Sequence, residues 1–215
     1  MRRLREGITL LVVARDEERR IGNVLSAFRP YVDEIIVVED GSKDRTVEEA
    51  EEYTDLIVHP EKIDCLHAED DWVSGKWGDK VHSCSVYNAG QKKVETVWTL
   101  SSDCDEVWDP AFVENIKFLI EKFPVAPCFR FPRVNLPTGE NYPDYQVRLL
   151  KTQWADWKHT PHVIPFFVGE REKEGGEKLE TPIDAVEGVK TFDQNPIIHL
   201  PRRNDLKRQW WGYKL

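Results

Sequence analysis

The sequence predicts an α/β fold, a mostly parallel sheet covered by helices on both faces, and three observations carry that expectation. Residues 8–14 and 34–38 are continuous apolar runs of strand length, and strands without polar alternation are buried on both faces. In the segment 17–28 between them, Ile21, Val24, Leu25 and Phe28 recur at i, i+3, i+4 and i+7, which is one face of a helix. Strand, helix, strand, helix then requires parallel strands joined by crossovers. Such sheets bind ligands in the crevice beyond the strands' carboxyl ends.

The later elements follow the same logic. After the second strand the turn residues 39–46 lead into a helix that starts around Asp44 or Arg45, and Leu56–Val58 is a third short strand. A helix over 80–91 precedes a strand that begins at Val97 and delivers Asp103 and Asp105 at its end. Asp109 and Pro110 open the next helix as N-cap and first helical residue, with Phe112, Ile116, Leu119, Ile120 and Phe123 as its buried stripe. Beyond Pro124 proline and aromatic residues accumulate, and short strand-like runs at 128–131 and 146–150 replace the alternation. The charged, glycine-bearing run 169–180 reads as a loop, either a mobile lid or an ordinary solvated connection. The tail 202–214 interleaves basic and aromatic residues, suited to phosphates, to a sugar face, to a membrane interface or to packing as a terminal helix.

At 215 residues the chain reads as one domain spanning 1–215, able to bury roughly 70–75% of its unfolded surface. The change of character at Pro124 divides it into a first part, about 1–123, and a second, about 124–215. The 39 acids against 30 bases give a net charge of −9, which argues against broad electrostatic binding to nucleic acid. Cys65, Cys84, Cys104 and Cys128 form no Cys-x-x-Cys pair, so zinc is not indicated and reduced thiols in the cytoplasm are the default. The basic start followed by a short apolar run lacks a signal peptide's cleavage site and runs into Arg15, Asp16 and Glu17. No run approaches the ~20 apolar residues of a membrane span, so membrane contact would be peripheral.

The chemistry lies in Asp103 and Asp105. Two carboxylates one residue apart at a strand's carboxyl end suit Mg²⁺ or Mn²⁺, and Mg²⁺ usually shares its shell with substrate phosphates. The ligand expected is therefore phosphorylated. Asp-x-Asp turns that hold no metal are also common in surface loops. Asp40, at the end of the second strand, reaches the same edge. The pattern from Asp103 to Val107 also fits the nucleophile motif of haloacid dehalogenase-like phosphatases, which would leave the Asp-Gly-Ser turn unexplained. A nucleotidyltransferase would show a glycine-rich loop after the first strand, and residues 14–18 contain no glycine. A non-catalytic sugar-nucleotide or carbohydrate-binding module is the remaining class.

Leu11 to Glu17, Val37 to Thr46 with its Asp-Gly-Ser-x-Asp-x-Thr element, and Leu100 to Glu106 together resemble family 2 glycosyltransferases of the GT-A, Rossmann-like fold. The resemblance covers most of the first 125 residues and thins after that. It implies a metal-dependent enzyme that moves a sugar from a UDP-sugar or GDP-sugar to an acceptor hydroxyl with inversion. Ala14, Arg15, Glu17, Asp40 and Gly41 would surround the nucleotide, Asp103 would lie against ribose and diphosphate, and Asp105 would be the principal metal ligand, with Asp103 near the ion. His199 resembles the histidine that completes metal coordination, with His162 as a rival or either one a structural residue. Lys80 or Arg148 would contact the donor's phosphates, or stand at solvated surface. The family's acceptor-side base has no clear match, because Val163 follows His162 where a Glu is expected. Asp144 is the first candidate and His162 the second. Trp154, Trp157 or the pair Trp210 and Trp211 would offer stacking faces. Acceptors in such a family include glycans, lipids, proteins and modified nucleic acid bases; the sugar, the acceptor and the oligomeric state stay open.

Overall fold

The structure, a computed structural model, describes residues 3–60, 78–136, 140–141, 146–158, 164–172, 178–182, 190–191 and 197–200. The first strand, β1 (Arg5–Ala14), is buried along its apolar run. The helix α1 (Ile21–Phe28) buries Ile21, Val24, Leu25 and Phe28, the four residues of the expected stripe. It begins four residues later than the periodicity suggests, because Glu17 O accepts from Arg20 N and Ile21 N in a turn whose Asp16 has φ +56°. Next come β2 (Glu34–Glu39), α2 (Thr46–Glu51), β3 (Leu56–Val58), α3 (Gly78–Gln91) and β4 (Thr96–Asp103).

A short β5 (Glu106–Trp108) precedes α4 (Pro110–Glu114) and α5 (Ile116–Lys122). Asp109 caps α4 through Ala111 N at 2.9 Å. The one helix expected here is broken at Asn115, whose Nδ2 donates to Ala111 O at 2.8 Å. An asparagine that bonds the backbone of the preceding turn competes with the helix's own ladder. The remaining strands are β6 (Cys128–Phe131), β7 (Arg133–Asn135), β8 (Glu140–Asn141), β9 (Gln146–Lys151), β10 (Ala155–Lys158), β11 (Ile164–Glu172), β12 (Lys178–Pro182), β13 (Lys190–Thr191) and β14 (Ile197–His199).

The central sheet has seven strands in the order β13-β6-β9-β4-β1-β2-β3. β1 pairs in parallel with β2 and β4, and β2 with β3, whereas β9 runs antiparallel to β4 and β6. The sheet is therefore mostly parallel, as expected. Leu10, Val12 and Ile35 face α1, α2, α4 and α5, while Leu11, Ile36 and Val38 face Val86 and Ala89 of α3. Each such side chain contributes about 1.5–3 kcal/mol on full burial. Gly90 lets α3 approach closely, since a Cβ there would stand 2.4 Å from Leu11 Cδ1 and 2.5 Å from Val38 Cγ2.

Two smaller sheets complete the fold: β10-β11-β12, and β5-β14-β7-β8 beside the end of β4. The reading of 169–180 as a loop is corrected here. Its two ends are strand, with Val168 opposite Glu180 and Glu172 opposite Lys178 in an antiparallel pair. An antiparallel pair is held by its backbone ladder, which requires no apolar period in the sequence. Among the described residues no helix is long and apolar enough to cross a membrane.

Candidate active site

Parallel β1, β2 and β4 end on one edge, and the turns that follow them form the candidate site. Ala14 pairs with Glu39, and Asp40 N donates to Ala14 O at 3.0 Å. Arg15 Nη1 lies 3.9 Å from Asp40 Oδ2. Gly41 has φ +78° and no atom within 4 Å of a notional Cβ, so the turn can bend sharply in open space. Short side chains knit the two turns: Lys43 N to Asp16 Oδ1 at 2.7 Å, Glu17 N to Thr46 Oγ1 at 2.7 Å, and Glu18 N to Asp44 Oδ2 at 3.2 Å. Ala14, Arg15, Asp40 and Gly41 therefore stand together. Glu17 is only 5% exposed and pairs with Arg20 at 3.5 Å, which makes it a buttress of the turn and corrects its assignment to the nucleotide.

Asp103 stands one strand away, opposite Val13. Its two oxygens are both engaged. Tyr87 Oη donates to Oδ1 at 2.8 Å, and Arg148 Nη2 donates to Oδ2 at 2.7 Å. The same Nη2 donates a very short bond to Glu106 Oε1, to which Arg133 Nη1 also donates at 3.2 Å. Glu106 Oε2 accepts from Asp103 N at 3.2 Å, closing the turn on itself. Arg148 is thus enclosed behind Asp103 with its side chain 7% exposed, which corrects its expected placement on the donor's phosphates.

These contacts set the charges. Burial opposes ionisation of Asp103, but Arg148, the Tyr87 hydroxyl and Arg133 outweigh it and hold the carboxyl down at about 2. Glu106 goes the other way, because burial together with the Asp103 charge outweighs the two arginines and raises its carboxyl. Burial also raises the Tyr87 hydroxyl, keeping it a donor.

Asp105 is buried at the apex of this turn, and its carbonyl accepts from Leu200 N at 2.6 Å. The preceding residue, His199, pairs with Glu106 of β5 and Asn135 of β7. Topology thus brings position 199 beside Asp105 across 94 residues of sequence. The Asp105 carboxylate is a hard donor of the kind that suits Mg²⁺ or Mn²⁺, and the His199 side chain lies outside the described residues. Among the described residues no three His, Cys, Asp or Glu side chains converge on one point.

Lys80 belongs to α3, but its side chain lies outside the described residues, as do Asp144, His162, Trp154, Trp210 and Trp211. Trp157 is 3% exposed, stacks on Tyr87 at 4.5 Å and donates to Gln91 Oε1, so its expected role as an open stacking face is corrected to a core one. Sequence reasoning missed Tyr87, Glu106 and Arg133. The signal available for the cluster was a charged residue inside an apolar strand, as at Arg148, which has to find an acid when it is buried.

A family model described as Glycosyl transferase family 2 matches residues 9–176. No curated protein matches the chain. Among solved structures, residues 1–349 of S. aureus TarS in complex with UDP-GlcNAc align with 14% identity and a TM-score of 0.57, covering 91% of this chain and 59% of that one. Glucosyl-3-phosphoglycerate synthase from Mycobacterium tuberculosis, in complex with Mn²⁺, UDP and glucosyl-3-phosphoglycerate, aligns with 12% identity and a TM-score of 0.53, covering 94% and 75%. At these identities the likeness is one of fold, and the chain spans about three-fifths of the TarS fragment.

Proposed function

The chain belongs to glycosyl transferase family 2, and from that premise we propose that it is a metal-dependent, inverting glycosyltransferase acting in the cytoplasm. It takes a sugar from a nucleoside-diphosphate sugar and transfers it to an acceptor hydroxyl. The observation that carries this is the convergence of Asp40, Asp103 and Asp105 on the carboxyl edge of β1, β2 and β4, with position 199 beside Asp105. UDP is the first nucleotide to test, since both structural relatives carry a uridine nucleotide.

In this reading Asp40 and Gly41 shape the nucleotide's seat, and Asp103 faces its ribose and diphosphate. Asp105 with His199 would hold Mn²⁺ or Mg²⁺, which neutralises the diphosphate as it leaves. The acceptor oxygen bonds to the anomeric carbon as the bond from that carbon to the diphosphate breaks, and the acceptor proton passes to a base. Asp144 is the first candidate for that base and His162 the second. Residues after about 124 would choose the acceptor, a glycan, lipid, protein or modified base.

The test is calorimetric titration of UDP with Mn²⁺ and, separately, with EDTA. Wild type should bind more tightly with Mn²⁺, and Asp105→Asn should lose most of that gain, on the order of the 10–100-fold that even the groups around a metal's ligands contribute, or more. Equal Mn²⁺-dependent affinity in Asp105→Asn would sink the metal assignment. Binding without any transfer to a panel of acceptors would favour the non-catalytic module.

A further inference from the structure

Five side chains from five elements meet at the Asp103–Glu106 turn: Tyr87 from α3, Asp103 from β4, Glu106 from β5, Arg133 from β7 and Arg148 from β9. We propose that Tyr87 and Arg148 are positioning residues of the donor site: each holds one oxygen of Asp103, and with Glu106 and Arg133 they fix the turn that presents Asp105. This rests on the donor-site reading above.

Two features argue that these contacts serve position. Arg148 Nε is buried with no hydrogen-bond partner, while one Nη2 is set between two carboxylates. An arginine serving stability alone would offer its fork to one carboxylate and leave no buried donor unmet. The Tyr87 hydroxyl is equally constrained. Its ring stacks on Trp157 at an interplanar angle of 27°. The Trp157 backbone is held in turn by Asn88, which accepts from Trp157 N and donates to Trp157 O, each at 2.8 Å. The Tyr87 hydroxyl thus reaches Asp103 from a ring packed against a hydrogen-bonded Trp157. Hydrogen bonds from groups fixed in this way orient ligating carboxylates without touching the ion.

Tyr87→Phe removes the hydroxyl and keeps the stack. UDP affinity would be measured by calorimetry with Mn²⁺ and with EDTA, and folding by urea denaturation. The expected result is a folded protein whose gain in UDP affinity from Mn²⁺ falls about 10-fold, with a smaller change in the EDTA value, since Asp103 also faces the nucleotide. Arg148→Lys should recover part of the affinity that Arg148→Met loses. A lower denaturation midpoint with wild-type Mn²⁺-dependent affinity in Tyr87→Phe would overturn the positioning role and leave the donor-site reading standing. Wild type that binds UDP no better with Mn²⁺ than with EDTA would overturn both.

Discussion

In the turns after β1 and β2, backbone amides are held by nearby short side chains: Thr46, Asp16 and Asp44 accept from Glu17, Lys43 and Glu18. In the turn after β4, two arginines from strands 27 and 42 residues beyond Glu106 hold it by charge in a buried setting. The first device forms once two neighbouring strands pair. The second exists only when β4, β5, β7, β9 and α3 are all in place. A site built this way joins a seat of local origin to a carboxylate turn whose geometry reports the state of the whole fold.

The largest effect that would test this contrast is on stability. Arg148→Met leaves Asp103 and Glu106 with Arg133 alone between them, at 4.0 and 3.2 Å, and removing one partner of a buried ion pair costs about 3–5 kcal/mol. The value should sit near the lower end, because the Asp103 side chain is 32% exposed and Glu106, already raised, can take up a proton. Asp44→Ala removes bonds from Glu18 N and Thr46 N and should cost only about 1–2 kcal/mol. Urea denaturation of both variants checks the order. If Asp44→Ala proves the more damaging, the contrast is reversed.

The same contrast governs how much could be read from sequence. Gly41, Ser42, Asp44 and Thr46 lie within six residues, and each does by itself what its chemistry allows in a turn, so the element and its place at the edge were legible. The strands and the α1 stripe were legible for the same reason, since periodicity is local. The Arg148 partners were not legible, because nothing near residue 148 indicates that β9 reverses direction beside β4. Nor does the sequence near 199 show that β14 pairs with β5. His199 was reached through resemblance, and only the topology sets it against Asp105. The run 169–180 was misread because a backbone ladder forms there without an apolar period in the sequence to reveal it.

Acidification should separate the two devices by a smaller amount. Burial opposes ionisation of Asp44 and Glu39, but bonds from Thr46 and Glu18 to the one, and from Ser42 and Gly41 to the other, outweigh it and lower both carboxyls. A lowered carboxyl contributes stability that is present above its unfolded value and lost as pH falls through its folded value. Asp103, held at about 2, likewise gives up its contribution as pH falls from the usual aspartate range toward about 2. The raised Glu106 has the opposite sign: its ionised form is disfavoured, and that penalty is relieved as pH falls through its raised value. Urea midpoints should therefore fall as pH drops from 6 to 3. Asp44→Asn should flatten that fall. A fall left unchanged by Asp44→Asn would mean that acid acts elsewhere.

The smallest expected effect is the sharpest test of independence. An alanine at Gly41 meets no neighbour but must adopt φ +78°, a left-handed conformation that costs about 1–2 kcal/mol for a residue with a Cβ. Asparagine tolerates that region better, so Gly41→Asn should cost less than Gly41→Ala. If the strain stays within the turn, Gly41→Ala and Arg148→Lys should add to within about 0.3–0.5 kcal/mol in a double-mutant cycle, as separate sites do. A larger coupling would show that bending the nucleotide's seat moves the carboxylate turn. The local and the long-range devices would then be parts of one element, and the distinction between them would fail.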